Sequence, residues 1–216
     1  MLPIASAVLD SIEAAYTPIP VPIKPNAKRI DVHGHAAPDW YRTIAPTAGG
    51  NPTPNWTLAS QLQFMSDFSI GKSILSISTP GSVVYPGDAA KSAALARLLN
   101  EYLAALTRTY PEHFGFWAVT PLPYVQAAVN ETRYALTQLG AAGVGLLSNH
   151  EGYYLGNQAF SPYFKALNSS GLEKVALFVH PTNPTLRGSD GKLASASPCK
   201  NYLSPDWRDL KLVKQY

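Results

Sequence analysis

Apolar residues along this chain form five short runs, and longer stretches of helical periodicity lie between them. Short apolar, β-branched runs predict buried strands, whereas a repeat at i, i+3, i+4 and i+7 predicts an amphipathic helix. Strands and helices therefore alternate, which is typical of a parallel sheet with right-handed crossovers. The five predicted strands cover residues 28–33, 71–79, 114–119, 143–148 and 174–180.

Glycine, proline and one capping residue mark the ends of the predicted helices. Asp88 is the predicted N-cap of the longest helical pattern, because its carboxylate can accept from the free N–H groups of the first turn. Pro123 suits the first position of the next helix, and Gly140 suits the position after its end. Gly71 and Gly171 are expected to close the first and the last helical patterns.

Two architectures fit this alternation: an open doubly wound sheet and a (β/α)8 barrel. Five units would complete an open sheet but leave a barrel short, since a barrel typically needs about 250 residues and the chain has 216. The periodicity alone leaves the choice open. We expect residues 1–27 to be an N-terminal extension, residues 28–186 to form the α/β domain, and residues 187–216 to be an irregular tail.

The composition argues against several classes of protein. Lysine and arginine are scattered and the net charge is only +3, so no nucleic-acid partner is predicted. No apolar run is long enough to cross a bilayer, and Asp10 and Glu13 interrupt the N-terminal apolar run, which argues against a signal peptide. The single cysteine, Cys199, allows no internal disulfide and suits a reducing compartment, so a cytoplasmic location is expected.

Two of the five histidines lie in the segment RIDVHGHAAPDWYR, at the end of the first predicted strand. Side chains at i and i+2 of a strand share a face, so His33 and His35 are expected to point the same way, with Asp31 on that face too. Two imidazoles on one face can reach one ion, and neutral imidazole is a favoured ligand of zinc. The alternative interpretation is two polar residues in a loop.

His180 favours the metal site over that alternative. It ends the fifth predicted strand, and in parallel α/β folds the carboxyl edge of the sheet carries the active site. His33, His35 and His180 are therefore predicted to converge on one ion. His113 precedes a strand and is expected to be structural, whereas His150 follows the fourth strand and is a weaker candidate for contacting substrate.

Five segments occur in an order that is typical of one family. They are RIDVHGHAAPDWYR, ILSISTPG, LLNEYLAALTRTYPEHFGFWAVTPLP, LGAAGVGLLSNHEGYYLGNQAFSPYF and VALFVHPTNP, and they span residues 29–184. Together they resemble the amidohydrolase-related metal-dependent decarboxylases, which include the aminocarboxymuconate-semialdehyde decarboxylases, and most closely the fungal 6-methylsalicylate decarboxylase branch. The resemblance implies a (β/α)8 TIM barrel of the metal-dependent hydrolase type, incomplete here, with about the first five β/α units in residues 28–186.

The resemblance also implies roles for particular residues. His33 and His35 match the first-strand metal ligands, His180 matches the fifth-strand ligand, and the ion is usually zinc. The implied reaction releases carbon dioxide from an aromatic or related unsaturated carboxylic acid such as 6-methylsalicylate, in secondary metabolism. Arg42, just past the first strand, is a candidate partner for the anionic substrate, with a solvated surface arginine as the alternative.

Two groups that the family uses have no counterpart in this sequence. The family places a proton-transferring histidine after its sixth strand and an aspartate ligand after its eighth, and the catalytic pair is therefore expected beyond residue 216. Asp190, Asp206 and Asp209 follow no strand-like run and are not predicted as ligands. A metal-dependent hydrolase on the same scaffold and a non-catalytic fragment remain as alternatives. The expected partner is a small carboxylic acid, and self-association into a homo-oligomer is left open.

Overall fold

The computed structural model describes residues 2–24, 26–48, 51–169, 171–172, 174–187 and 192–195. Its strands are β1 (Arg29–His35), β2 (Thr47–Ala48), β3 (Asn51–Pro52), β4 (Ile70–Ser76), β5 (Phe114–Val119), β6 (Gly143–Leu147), β7 (Asn149–His150), β8 (Tyr153–Tyr154), β9 (Ala176–His180), β10 (Thr185–Arg187) and β11 (Leu193–Ser195). Its helices are α1 (Leu2–Ala15), α2 (Asp39–Ile44), α3 (Leu58–Asp67), α4 (Ala89–Thr109), α5 (Val125–Thr137) and α6 (Ser161–Leu167), and a 3-10 turn (Gln158–Phe160) precedes α6.

The principal sheet contains five parallel strands in the order β1-β4-β5-β6-β9. All five predicted strands are present, with ends that differ by a few residues. The spatial order of the strands follows their order in the chain, whereas a doubly wound sheet reverses direction at a switch point. The topology is therefore that of successive units of a (β/α)8 barrel, and this resolves the choice that periodicity left open.

Contacts between the first and the last strand show how strongly this sheet curls. In a flat sheet, four spacings of about 4.8 Å would separate β1 from β9 by about 19 Å. Instead, the ring of His33 in β1 lies 5.1 Å from the ring of Phe178 in β9, measured between centroids. Trp117 of β5 also reaches across the concave side, where its Nε1 donates to the Val32 carbonyl at 2.9 Å. The five strands therefore form part of a barrel wall.

The main apolar core lies between the sheet and its helices. Leu75, Phe114 and Phe116 are fully buried in the strands, and they belong to the same apolar cluster as Leu99 and Leu103 of α4. This burial is the principal source of stability for a sheet whose helices lie on its outer face. Within the described ranges, every helix is too short or too polar to cross a membrane.

The observed ends of the helices test the predictions made for Asp88, Gly71 and Gly140. The prediction for Asp88 is confirmed, because its Oδ1 accepts from the Lys91 backbone N–H at 2.9 Å. The prediction for Gly71 is wrong: α3 ends at Asp67, and Gly71 is a residue of β4 where any side chain would meet the Ala27 carbonyl. Gly140 does adopt a positive φ of 75°, two residues after the C-cap Gln138. Close approach to the Ala27 carbonyl, rather than termination of α3, thus explains the glycine at position 71 in β4.

Pro123 is also displaced from its predicted position. Helix α5 begins at Val125 with Tyr124 as its N-cap, so the proline lies just outside the helix. At the other end of the fold, Gly171 has a φ of 73° and follows α6, which ends at Leu167. Pro123 and Gly171 therefore lie near the helix ends predicted for them, and their exact positions depend on the loop that each one joins.

The N-terminal segment packs against the domain and begins as a helix. Val8 and Ala15 of α1 are buried, and the Ala15 carbonyl accepts from Thr109 Oγ1 of α4 at 2.8 Å. The backbone N–H of Ile19 donates to the Tyr110 hydroxyl at 2.7 Å, which fastens the proline-rich stretch that follows α1. Residues 18–24 have no regular secondary structure, as the prolines predict, and the boundary at residue 27 stays a prediction.

The predicted irregular tail is described only in part. Strand β10 pairs antiparallel with β11, so the residues of these two strands are more regular than the sequence suggests. The remaining residues of interest in the tail lie outside the described residues; they are Asp190, Cys199, Asp206 and Asp209.

Candidate metal centre

Three imidazoles meet at the carboxyl edge of the curled sheet. The ring centroids of His33, His35 and His180 are 4.9 Å apart in each pair, and one ligand atom from each lies within 4.8 Å of the other two. The Nε2 atoms of His35 and His180 are 3.2 Å apart. The structure thus brings together the three histidines that the sequence grouped, from the two strands that form the ends of the sheet.

A bulge in β1 turns His33 and His35 to one face and Asp31 to the other. Between Asp31 and Gly34 the register with β4 slips, so that an extra residue is inserted and the alternation of faces reverses. A Cβ on Gly34 would point away from both histidines, and it would lie 3.1 Å from Asp31 Oδ2. The prediction that Asp31 shares the face of the histidines is therefore wrong. Its carboxylate instead accepts from Ser73 Oγ at 3.0 Å and from the His33 N–H at 2.9 Å.

The residues that follow β9 fix the position of His180. His180 Nδ1 lies 2.6 Å from the Pro181 carbonyl, and the His180 carbonyl accepts from the Ser148 N–H at 2.9 Å. The Ser148 hydroxyl in turn accepts from the Thr182 N–H at 3.0 Å and lies 2.7 Å from the Thr182 hydroxyl. These bonds tie the end of β9 to the end of β6, so the His180 ring is held by backbone on two strands.

The electrostatic environment keeps two of the imidazoles neutral. Burial, together with the nearby rings of His180 and His33, lowers the pKa of His35 to about 4 against an opposing effect of Asp31. Burial also lowers the pKa of His180, more than the Pro181 carbonyl raises it. Both rings are therefore uncharged at neutral pH, which is the form of imidazole that binds a metal.

The donor set fits a divalent transition metal. Two nitrogens at about 2.05 Å from a tetrahedral zinc are about 3.3 Å apart, which agrees with the 3.2 Å between the Nε2 atoms of His35 and His180. Three imidazoles leave a further coordination position for water or substrate. Over the described ranges of the chain, neither Asp nor Glu joins this group, so its ligands are all imidazole nitrogens.

His33 and His35 line an open cavity of about 540 Å³ at the β1 edge of the sheet, and His180 lines a separate, smaller one. This small cavity of about 30 Å³ has His180 and Ser76 in its wall, and a larger one of about 290 Å³, the polar cavity, lies beside it. Both are bounded by Val83, Leu147 and His150. The polar cavity is otherwise lined by hydroxyl, amide and carboxylate side chains and by one proline, namely Thr47, Thr79, Pro80, Asn149, Glu151, Thr182, Asn183 and Thr185. The polar cavity thus adjoins the small cavity at His180 through their shared wall, and none of the three clustered histidines lines it.

Two aromatic rings complete the wall nearest the histidines. Trp117 stacks on Phe178 with 5.5 Å between centroids and 14° between planes, and the edge of Phe178 meets His33. Both rings line the small cavity. Sequence reasoning missed Trp117 and Ser76 as parts of this site. Ser76 lies on β4 next to β1 and Trp117 lies on β5 in the middle of the sheet, and only the observed strand order and register place them beside the histidines.

His150 lies in the wall between the small and the polar cavity. It is only 2% exposed, and its ring meets Phe160 edge-on with 6.0 Å between centroids. Burial lowers the pKa of His150 to about 4, although the nearby carbonyls of Leu122 and Leu147 oppose the shift. The ring is therefore neutral at physiological pH. Its position is compatible with the predicted contact to substrate, which stays a prediction.

The buried His150 should make the fold sensitive to acid. The unfolded chain binds a proton at this residue below a pKa of about 6.5, whereas the folded chain does so only near 4, so stability falls as the pH drops between these values. At pH 4.5 the loss from this residue is about 2–3 kcal/mol. The free energy of unfolding is measured in urea at pH 7.0 and 4.5. Between these pH values it should fall by about 2–3 kcal/mol less in His150→Gln than in the wild type. An equal loss in both proteins would contradict the assignment, and His113→Gln is the matched control.

The other two candidates lie in different surroundings. Arg42 Nη1 donates to Asp39 Oδ1 and to Asn55 Oδ1, each at 2.8 Å, and Arg42 is absent from the walls of the three cavities described above. These contacts favour the solvated interpretation, and its role in substrate binding stays a prediction. His113 Nδ1 lies 3.0 Å from the Gly71 carbonyl, near the amino edge of the sheet, as expected for a structural histidine.

Comparison with known proteins agrees with the fold. A partial barrel with histidines at its carboxyl edge defines a metal-dependent hydrolase type of protein, and residues 30–194 match the family described as "Amidohydrolase". The chain belongs to this family. It is 38% identical over 163 residues to the 6-methylsalicylic acid decarboxylase of Penicillium expansum, an alignment that covers 72% of this chain and 49% of that protein.

Two solved structures share the fold. The crystal structure of an amidohydrolase II is 34% identical with a TM-score of 0.66, and the match covers 73% of this chain and 51% of the other. The 5-carboxyvanillate decarboxylase of Novosphingobium aromaticivorans, solved with manganese and 4-hydroxy-3-methoxy-5-nitrobenzoic acid, is 19% identical with a TM-score of 0.59, over 74% and 51% of the two chains. The chain thus spans about half the length of the relatives it matches.

Proposed function

We propose that the protein is a metal-dependent decarboxylase that releases carbon dioxide from a hydroxylated aromatic carboxylic acid such as 6-methylsalicylate. The observation that carries the proposal is the cluster of His33, His35 and His180 at the carboxyl edge of the sheet. Its substrate class is supported by the 38% identity to a 6-methylsalicylic acid decarboxylase. Since the chain spans about half of that relative, the activity is proposed for the complete catalytic unit.

The three histidines would hold the ion through imidazole nitrogens. Zinc is the proposed ion because the ligands are imidazole nitrogens, and manganese is the alternative because a decarboxylase of the same fold was solved with it. Stabilisation of negative charge on a carboxylate or phenolate oxygen of the substrate is what such an ion supplies when bound. The bulge in β1 and the loop after β9 keep the rings oriented, so little reorganisation is needed.

The remaining side chains of the site would bind the substrate around that ion. The hydroxyls and amides of the polar cavity can donate to the oxygens of a single-ring acid, and the stacked Trp117 and Phe178 offer an apolar surface to its ring. In the overall reaction, the bond between the ring carbon and the carboxylate carbon breaks and carbon dioxide leaves. A proton takes its place on the ring carbon. The proton donor that the family resemblance implies follows a sixth strand, and the described part of this chain contains five strands of the barrel.

A second candidate function is hydrolysis of an amide or ester. The family description and the 34% identical amidohydrolase II favour it. Liquid chromatography with mass spectrometry separates the two functions, because decarboxylation converts 6-methylsalicylate into 3-methylphenol, whereas a hydrolase cleaves aryl esters or anilides. For the complete catalytic unit we expect 3-methylphenol and no turnover of the ester and anilide panel. Cleavage of that panel without loss of carbon dioxide would overturn the decarboxylase proposal.

Three further properties are part of the proposal. A cytoplasmic location is supported by the single cysteine, and a role in secondary metabolism is supported by the similarity to the fungal decarboxylase. The partner is a small carboxylic acid. Self-association is a further proposal, and it is supported by the exposed apolar side chains Ile30 and Val32 on β1 and Leu177 and Val179 on β9.

A further inference from the structure

The hydroxyl of Ser76 connects two elements of the metal centre. Ser76 is the last residue of β4 and pairs with His35 in the register between β1 and β4. It is buried, with its Oγ 3.1 Å from the Gly34 carbonyl and 3.2 Å from His35 Nδ1. A carbonyl can only accept, so the hydroxyl proton is directed to Gly34. The Ser76 oxygen is then left as the acceptor for His35 Nδ1.

These contacts determine which nitrogen of His35 carries the proton. If Nδ1 donates to Ser76, the neutral ring has its lone pair on Nε2, the atom that lies 3.2 Å from His180 Nε2. His180 is arranged in the same way, since its Nδ1 lies 2.6 Å from the Pro181 carbonyl, which can only accept. Both rings therefore direct an Nε2 lone pair to one point. Two lone pairs at this separation can bind one cation between them.

We propose that Ser76 is a positioning residue of the metal centre, which holds His35 as the Nδ1–H tautomer so that Nε2 is free to bind the ion. This inference rests on the proposed metal site. The hydrogen-bond partners of ligating imidazoles usually change metal affinity about 10- to 100-fold when they are removed. At His180 the equivalent partner is a backbone carbonyl, which substitution cannot remove. Ser76 is therefore the side chain through which this effect can be measured.

A pair of isosteric variants isolates the hydroxyl. Ser76→Thr keeps the hydroxyl and Ser76→Val replaces it with a methyl group of similar size, while Ser76→Ala removes it without added bulk. Ser82→Ala is the matched control, because Ser82 is also buried and its hydroxyl donates to the Thr120 carbonyl at 3.2 Å. Zinc affinity is measured by competition with a chromophoric chelator. The tautomer of His35 is measured in the metal-free protein from its ring ¹⁵N chemical shifts.

We expect Ser76→Val and Ser76→Ala to bind zinc about 10- to 100-fold more weakly than the wild type, and to show a mixture of His35 tautomers. Ser76→Thr and Ser82→Ala should match the wild type in both measurements. Unchanged affinity and an unchanged tautomer in Ser76→Val and Ser76→Ala would overturn the role of Ser76. A wild-type protein that binds no divalent ion would instead overturn the proposed metal site, and the ¹⁵N shifts would still decide whether Ser76 sets the tautomer.

Discussion

Replacing His180 with alanine should weaken zinc binding by about 100- to 1,000-fold. Structural zinc sites with four protein ligands are worth about 10–16 kcal/mol, so each ligand accounts for roughly 3–4 kcal/mol. His180 is the one ligand contributed by β9, and without it the remaining His33 and His35 belong to a single strand. The ion would then lose the bond that joins the two ends of the sheet. Zinc affinity measured by chelator competition at pH 7.5 tests this expectation.

His113→Ala is the matched control for this substitution. His113 lies at the amino edge of the sheet beside the Gly71 carbonyl, so its removal changes the number of histidines without touching the cluster. The control should bind zinc as the wild type does. Equal affinity of His180→Ala and the wild type would contradict the assignment, because the ion would then be bound elsewhere.

Completing the barrel should raise the rate of decarboxylation by at least about 10³-fold over the 216-residue chain. In the described part of the chain, β1 pairs only with β4 and β9 pairs only with β6. Ile30 on β1 is 65% exposed and Val179 on β9 is 50% exposed, although strands of a barrel normally bury such side chains. Both edges are therefore suited to further parallel strands. The family resemblance places the proton donor and a carboxylate ligand on those strands, and electrostatic and acid–base groups are each worth about 10²–10⁴ in rate.

Co-expression with the C-terminal half of the Penicillium expansum relative provides the test, since this chain matches about half of that protein. The complex should form 3-methylphenol from 6-methylsalicylate, whereas the chain alone should bind the ion and form almost none. The same complex carrying His180→Ala is the control and should be inactive. Equal rates for the chain alone and the complex would show that the five strands suffice, contrary to this prediction.

The fold was largely predictable because its strands carry local signals. Each buried strand is a short apolar run bounded by turn residues, and the longest helix begins at Asp88, which caps its own first turn. Periodicity could not decide whether the sheet curls into a barrel, since an open sheet and a barrel use the same alternation of strands and helices. The helix α1 was missed because its partner is α4, which is distant in sequence.

The site was predictable as far as it depends on strand ends and alternation. His33, His35 and His180 all follow from these two rules, and the structure brings them together. Asp31 does not follow them, because the bulge depends on contacts of its carboxylate with Ser73 and with the His33 N–H. Ser76 could not be predicted either, since its contact with His35 depends on the register between two strands. Long-range register is what the sequence pattern does not encode.

The most direct test of the central claim is a titration of the metal-free 216-residue chain with zinc, followed by native mass spectrometry. The metal centre predicts one zinc ion per chain, and no bound ion in a variant with alanine at His33, His35 and His180. Absence of bound zinc in the wild type, or an ion retained by the triple variant, would contradict a metal centre built from these three histidines.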